Sequence, residues 1–165
     1  MNYLRIAKAV LVAQVGLFAT LVAFNNITDY YSNFNFVQHV LMMDTTFEGN
    51  AAMWRAIGLP AFHHFAYWII IAFEGATGII CLFAATKLWF GRGANASFAA
   101  AKQVATLGLV LGITLWFTGF MTVGAEWFLM WQSPSWNGQS AAFRFIVIIF
   151  AVLLFLHTPE PAEEN

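Results

Sequence analysis

The chain has 165 residues, 61% of them hydrophobic and only 9% charged, with a net charge of −1. An ordinary soluble domain carries about 25% charged residues, so this composition excludes a surface built for water and points to one in lipid. The charge balance, seven Lys and Arg against eight Asp and Glu, leaves no cationic cluster for nucleic acid, and the length fits one domain.

A helix crossing a hydrocarbon core of about 30 Å needs roughly 20 mainly apolar residues. The first such run covers residues 6–24, behind Arg5 and Lys8. Cationic residues ahead of an apolar run also mark signal peptides. Cleavage after Ala23 would put Leu21 where a small residue is needed, so the run reads as a retained span. Residues 25–60 form a long connector holding Asp29, His39, Asp44, Glu48 and Arg55. Within it, Phe36, Val37, Val40, Leu41 and Met43 recur at helical spacing, which predicts a short amphipathic helix lying at the membrane interface. Asn50 is placed to cap a second short helix running through Trp54 and Ile57.

Pro60 opens the second span, residues 61–85, at the one helical position where its missing N–H costs nothing. The Ala-rich stretch 94–101 reads as a connector into the third span, 104–124, and the fourth covers 141–157, ahead of Pro159 and Pro161. Arg144 falls in the first turn of that last span, with a stem long enough to snorkel. The fold class is therefore all-α: a membrane four-helix bundle with short interfacial helices in its first external loop. Arg5, Lys8, Lys87, Arg92 and Lys102 lie on one side, and Arg55 and Arg144 on the other. By the positive-inside rule both termini are cytoplasmic, and connectors 25–60 and 125–140 are external. The acidic tail (Glu160, Glu163, Glu164) does not oppose this.

Four of the seven tryptophans, Trp54, Trp127, Trp131 and Trp136, fall on the external connectors. Indole rings anchor bundles at the headgroup level, and Trp127, Trp131 and Trp136 are also candidates for walling a lipid or quinone pocket. His39, Asp44, His63, His64 and Glu126 are the candidate metal ligands on the same side, with Glu48 nearby in sequence. Adjacent His63 and His64 point about 100° apart on a helix, which argues against joint chelation. His157 lies at the opposite end. Phosphate-loop and dinucleotide glycine motifs are absent, and no nucleophile–base pair is recognisable, so the reading leans away from an enzyme and the cofactor stays unassigned.

Glu74 stands near the middle of the second span, where a charged carboxylate costs several kcal/mol unless paired or protonated. Gln14 and Thr114 fall at similar depth and predict an intramembrane polar cluster with it. His63, Tyr67, Glu74 and Cys81 share one helix face, a stripe that would reach halfway as a proton relay. Gly108 and Gly112 form a GxxxG pair that permits close helix approach, within the bundle or between copies.

Several runs carry a resemblance: Asn25-Asn26-Ile27-Thr28-Asp29-Tyr30, Phe36-Val37-Gln38-His39-Val40, Met43-Asp44-Thr45-Thr46, Trp54-Arg55-Ala56-Ile57 and Gly124 through Ser133, continuing from Trp136 to Phe145. In these the chain resembles the domain-of-unknown-function family 2165, small bacterial integral membrane proteins. The resemblance implies a bacterial inner-membrane setting and four spans, and supplies no catalytic residues. The readings that follow are a non-enzymatic accessory or structural subunit of a membrane complex, a metal- or quinone-binding redox protein, and a small proton-coupled transporter centred on Glu74. The bilayer is the expected partner in each, with a second copy or a larger complex beside it.

Overall fold

The computed structural model describes residues 3–160, so Glu163 and Glu164 of the tail lie outside the described residues. Within them the chain is all-helical. Helix α1 (Tyr3–Thr28) is followed after one residue by α2 (Tyr30–Met42), then by α3 (Pro60–Gly91), α4 (Asn95–Thr114) and α5 (Gln139–His157). The third span does not stop at Thr114 but continues as a π-helical segment, Leu115–Trp127. Four helices are long and apolar enough to cross a membrane: α1, α3, α4 with its π segment, and α5.

At 1.5 Å per residue α3 is about 48 Å long, some three turns more than a hydrocarbon core. Pro60 sits in its first turn. The link to α4 is only three residues, closed by Ala94 N–H donating to the Gly91 carbonyl at 3.0 Å. The Ala-rich stretch is therefore not a connector: it is the first two turns of α4, with Phe98 and Ala101 buried. Alanine is the best helix former, and Phe98 brings burial that offsets the ordering entropy. At α5, Asn137 Oδ1 accepts from Gln139 N–H at 3.1 Å, and Pro159 excludes a further turn.

The spans run alternately up and down. Gly16 lies against Leu82, Gly78 against Thr20, Gly108 against Cys81 and Gly112 against Thr77 and Ile149. A Cβ on Gly16 would meet Leu82 N at 2.8 Å, and one on Gly108 would meet Cys81 N at 3.2 Å. Small residues thus let α3 lie nearly backbone to backbone with both α1 and α4. The Gly108–Gly112 pair is used inside the bundle.

Two apolar cores result among the described residues. One, formed by residues such as Val12, Cys81, Ala84, Leu88, Ala105 and Leu109, fills the end that carries the two chain termini. The other, formed by Phe34, Val37, Val40, Leu41, Met43 and Met130 among others, fills the opposite cap end. At the cap, the apolar face of α2 turns to α3 and the π segment, because Phe34, Val37, Val40 and Leu41 find protein to bury against. The second short helix expected after Asn50 is only a 3-10 turn, Met53–Arg55. Its approach is shaped by Asn50 Oδ1 accepting from Ala52 N–H at 2.8 Å. Thr45 and Ser133 share a hydroxyl hydrogen bond of 2.7 Å, and Phe47 N–H donates to Gln132 Oε1 at 3.1 Å, stitching the two connectors together. Met43 and Leu129 both take φ 53°. That left-handed region is uncommon for side chains of their size; Met43 caps the end of α2, and Leu129 links the π segment to the 3-10 turn Met130–Gln132.

Candidate functional site

At the terminal end, basic residues are pulled inward instead of reaching solvent. Lys8, only 1% exposed, donates to the Thr158 carbonyl and to Glu160 Oε1, each at 2.5 Å. Lys102 reaches the same carboxylate oxygen at 3.2 Å. Burial works against ionised Glu160, but the hydrogen bonds and charges of Lys8 and Lys102 outweigh it and hold this carboxyl below its ordinary range. Arg5 donates to the Arg92 carbonyl at 2.8 Å and to Asn95 Oδ1, and lies over the Phe98 ring. These contacts close the bundle.

The chemistry gathers where the two cores meet. Helix α1 continues past residue 24, so Asn26 stays helical and faces α3. Asn26 Nδ2 donates to Glu74 Oε2 at 2.7 Å, and Glu74 is 3% exposed. Asn33, in α2, donates in turn to Asn26 Oδ1 at 2.7 Å. Buried Tyr67 donates its hydroxyl to the Asn26 main-chain carbonyl at 3.3 Å. The two amides form a directed chain whose donors end on the carboxyl, an arrangement that complements negative charge.

Glu74, Asn26, Asn33 and Tyr67 line a cavity of about 230 Å³ whose remaining walls are mostly apolar, including Phe36, Trp116, Phe120 and Phe145. A second cavity of about 220 Å³ adjoins it, lined by Val40, Leu41, Ala66, Gly119, Val123 and Met130 among others. Phe36, Val37, Ile70 and Phe120 line both. The π segment supplies Trp116 and Phe120 to the first and Gly119, Phe120, Val123 and Gly124 to the second. Its turns are wider than α-helical ones, as shown by Phe128 N–H donating five residues back to Val123 O at 3.0 Å. Such segments recur at functional sites.

The expected intramembrane cluster is not assembled. Gln14 is exposed, and Thr114, also exposed, donates its hydroxyl back to the Val110 carbonyl at 2.8 Å. Glu74 meets Asn26 instead, because the α1–α3 register pairs it with the end of α1 rather than its middle. The α3 stripe does face inward: His63, Tyr67, Glu74 and Cys81 are all buried. Below Glu74, however, Thr77 and Cys81 are packed against Gly112 and Gly108.

The candidate metal ligands are dispersed. His39 Nδ1 pairs with Asp44 Oδ2 at 2.7 Å, and the His39 ring stacks on Trp136 with centroids 4.7 Å apart. His63 is fully buried, its Nε2 against the Ile57 carbonyl at 2.7 Å. His64 stacks on Phe34 and its Nδ1 meets the Tyr30 hydroxyl at 2.9 Å. Burial, with some help from Tyr31, pushes the Tyr30 phenol above its ordinary value. Glu126 is exposed. Among the described residues no three His, Cys, Asp or Glu side chains gather as a metal would require.

The candidate tryptophans do not line the two cavities. Trp127 meets Trp54 edge to face, with the Arg55 guanidinium over both rings. Trp131 meets Phe47 in the same way, and Trp136 packs on His39 and Phe36. Asn26, Asn33, Trp116, Phe120 and Phe145 were not singled out by sequence reasoning. One signal was available: Asn26 and Asn33 are seven residues apart, two helical turns, just beyond the first apolar run.

A family model described as that of predicted small integral membrane proteins, DUF2165, matches residues 4–159. The chain belongs to this family. No curated protein and no solved structure matches it. As a DUF2165 member it is an integral membrane protein, and its outward-facing apolar side chains contact lipid. Leu17, Leu21, Ile79, Phe83, Val147 and Leu154, each more than 45% exposed, are placed for that contact on α1, α3 and α5.

Proposed function

We propose that this DUF2165 protein is a non-enzymatic accessory protein of the bacterial inner membrane that holds a small, largely apolar molecule in the Glu74 cavity. The cation count puts both termini in the cytoplasm and the cavity towards the periplasmic face. One observation carries the reading: a buried carboxyl, oriented by Asn26 and Asn33, lines a cavity with otherwise mostly apolar walls. Buried polar groups set among aromatic and aliphatic walls are what small-molecule sites offer, and an intramembrane carboxyl is a functional candidate by default.

The relay reading has less support. The stripe has polar company on the cap side of Glu74, but towards the termini its face continues through Cys81, Ala84, Ala85 and Leu88 into packed core. A binding site open to one side fits that asymmetry better than a conducting path. Any contact with a second copy would use a face other than Gly108 and Gly112, which are occupied by α3 and α5.

Native mass spectrometry of the chain released gently from membranes tests this reading. A non-covalent small-molecule adduct is expected on the wild type and not on Ala142→Phe, a substitution that fills the cavity from its α5 wall. Identical adducts on both proteins would refute the reading, since annular lipid binds either. Reporter fusions after Asn50 and after Lys102 are expected in opposite compartments; the same compartment for both would overturn the topology.

A further inference from the structure

We infer that the molecule held beside Glu74 is an organic ammonium ion with an apolar body, an inference that rests on the cavity reading above. The cavity joins one carboxylate to the rings of Phe36, Tyr67, Trp116, Phe120 and Phe145. Among the described residues the ion pairs are Lys8–Glu160, Lys102–Glu160 and His39–Asp44, and Glu74 has no cation of its own. Its protein hydrogen bond engages only Oε2, through the Asn26 amide. A carboxylate in so apolar a setting is costly unless it is protonated or meets a positive partner; the bundle supplies it with donors but no charge, and a bound cation would hold it ionised.

The walls choose among positive partners. A hard metal ion gives up its water only for several oxygen ligands, roughly six to eight for calcium. Here the Asn26 Oδ1 is already taken by Asn33, and the other side-chain oxygens lining the cavity, those of Glu74, Asn33 and Tyr67, are too few to replace that shell. An alkylated ammonium is different, because it is weakly hydrated and is attracted to aromatic faces within about 6 Å. Its head would contact the Glu74 carboxylate, and its apolar body would run towards the adjoining cavity past Phe36 and Phe120, whose rings line both spaces. An anion is repelled by the same carboxylate.

Benzyltrimethylammonium and its uncharged isostere neopentylbenzene separate charge recognition from greasy fit. Each is titrated, by calorimetry, into the full chain in phosphatidylcholine nanodiscs, with Ala142→Phe as the blocked control. The cation is expected to bind saturably to the wild type and at least tenfold more weakly to Glu74→Gln, while the isostere is indifferent to that change. Phe120→Leu keeps the wall apolar but removes one aromatic face. It is expected to weaken the cation severalfold and spare the isostere, and it decides the matter if Glu74→Gln does not fold. Equal binding of both probes to the wild type and to these two variants would overturn the ammonium assignment and leave the cavity reading standing. Equal uptake by wild type and Ala142→Phe would sink the cavity reading itself.

Discussion

The two ends of this bundle solve different problems. At the terminal end, Gly16, Gly78, Gly108 and Gly112 bring α1, α3 and α4 into close contact, and the core there is built of small and aliphatic side chains with Phe98 among them. Buried Lys8 is tied to Thr158 and Glu160 just past α5, and Arg5 to the start of α4. At the cap end the helices are spread by α2, by a π segment and by two cavities, and the buried groups there include a carboxyl and the amide that holds it. Close approach at small residues is how a membrane bundle gains stability when lipid offers no hydrophobic drive between helices. Clefts also open away from the cap, one of about 280 Å³ lined by Ala9, Ala13, Leu82 and Ala85 among others and one of about 270 Å³ along α1 and α5, but neither is lined by an acid among the described residues. What sets the cap end apart is a cavity joined to a desolvated carboxyl.

That contrast breaks most readily at glycine. Gly78→Leu drives a side chain into the Thr20 backbone, whose N lies 2.8 Å from a Cβ at that position. A loss of at least about 3 kcal/mol in a denaturant unfolding titration is expected. Gly119→Ala in the π segment meets only Leu115 Cδ1 at 3.7 Å, so its change should stay below about 1 kcal/mol. Comparable losses at both glycines would erase the distinction between a tight and a loose end.

Next in size is Glu160→Gln, which leaves buried Lys8 with the Thr158 carbonyl but no counter-charge. Loss of a charge-assisted contact predicts about 2 kcal/mol of destabilisation. Because the Glu160 carboxyl is lowered from 4.5 in the folded chain, its contribution is complete above that ordinary value. It is lost as pH falls through the lowered folded value. Thermal melts of the wild type should therefore drop on acidification below about pH 4.5, and those of Glu160→Gln should lack that component.

Asn26→Leu removes the donor to Glu74 and should cost about 1–2 kcal/mol, whereas Gln14→Leu, on an exposed position of the same helix, should cost almost nothing. Equal effects would mean that the carboxyl is not held by Asn26. The smallest effect sharpens the picture in the opposite direction. Thr77 Oγ1 is buried without a hydrogen-bond partner among the described residues, so Thr77→Val, nearly the same in shape, should raise stability by up to about 1 kcal/mol. A clear loss in the unfolding titration would show that the hydroxyl is in use.

Much of the architecture was written in the chain. Long apolar runs, Pro60, Pro159 and the scarcity of charge determine four membrane helices, because hydrophobic length and backbone satisfaction in lipid are local properties that a linear reading can sum. Glu74 declared itself for the same reason: an acid within an apolar run is conspicuous wherever the helices go. Its partners did not, since depth counted along a sequence says nothing of how far one helix slides along another. The glycine contacts set the α1–α3 register, which matched Glu74 with Asn26 and left Gln14 facing outward, and on α4 it is Gly108 and Gly112 rather than Thr114 that face α3. The tight packing around Gly108, the fold-back of α2 and the burial of Lys8 on Glu160 likewise depend on surfaces from distant segments meeting. Such contacts are settled by packing energy between helices, and only the tertiary structure could decide them.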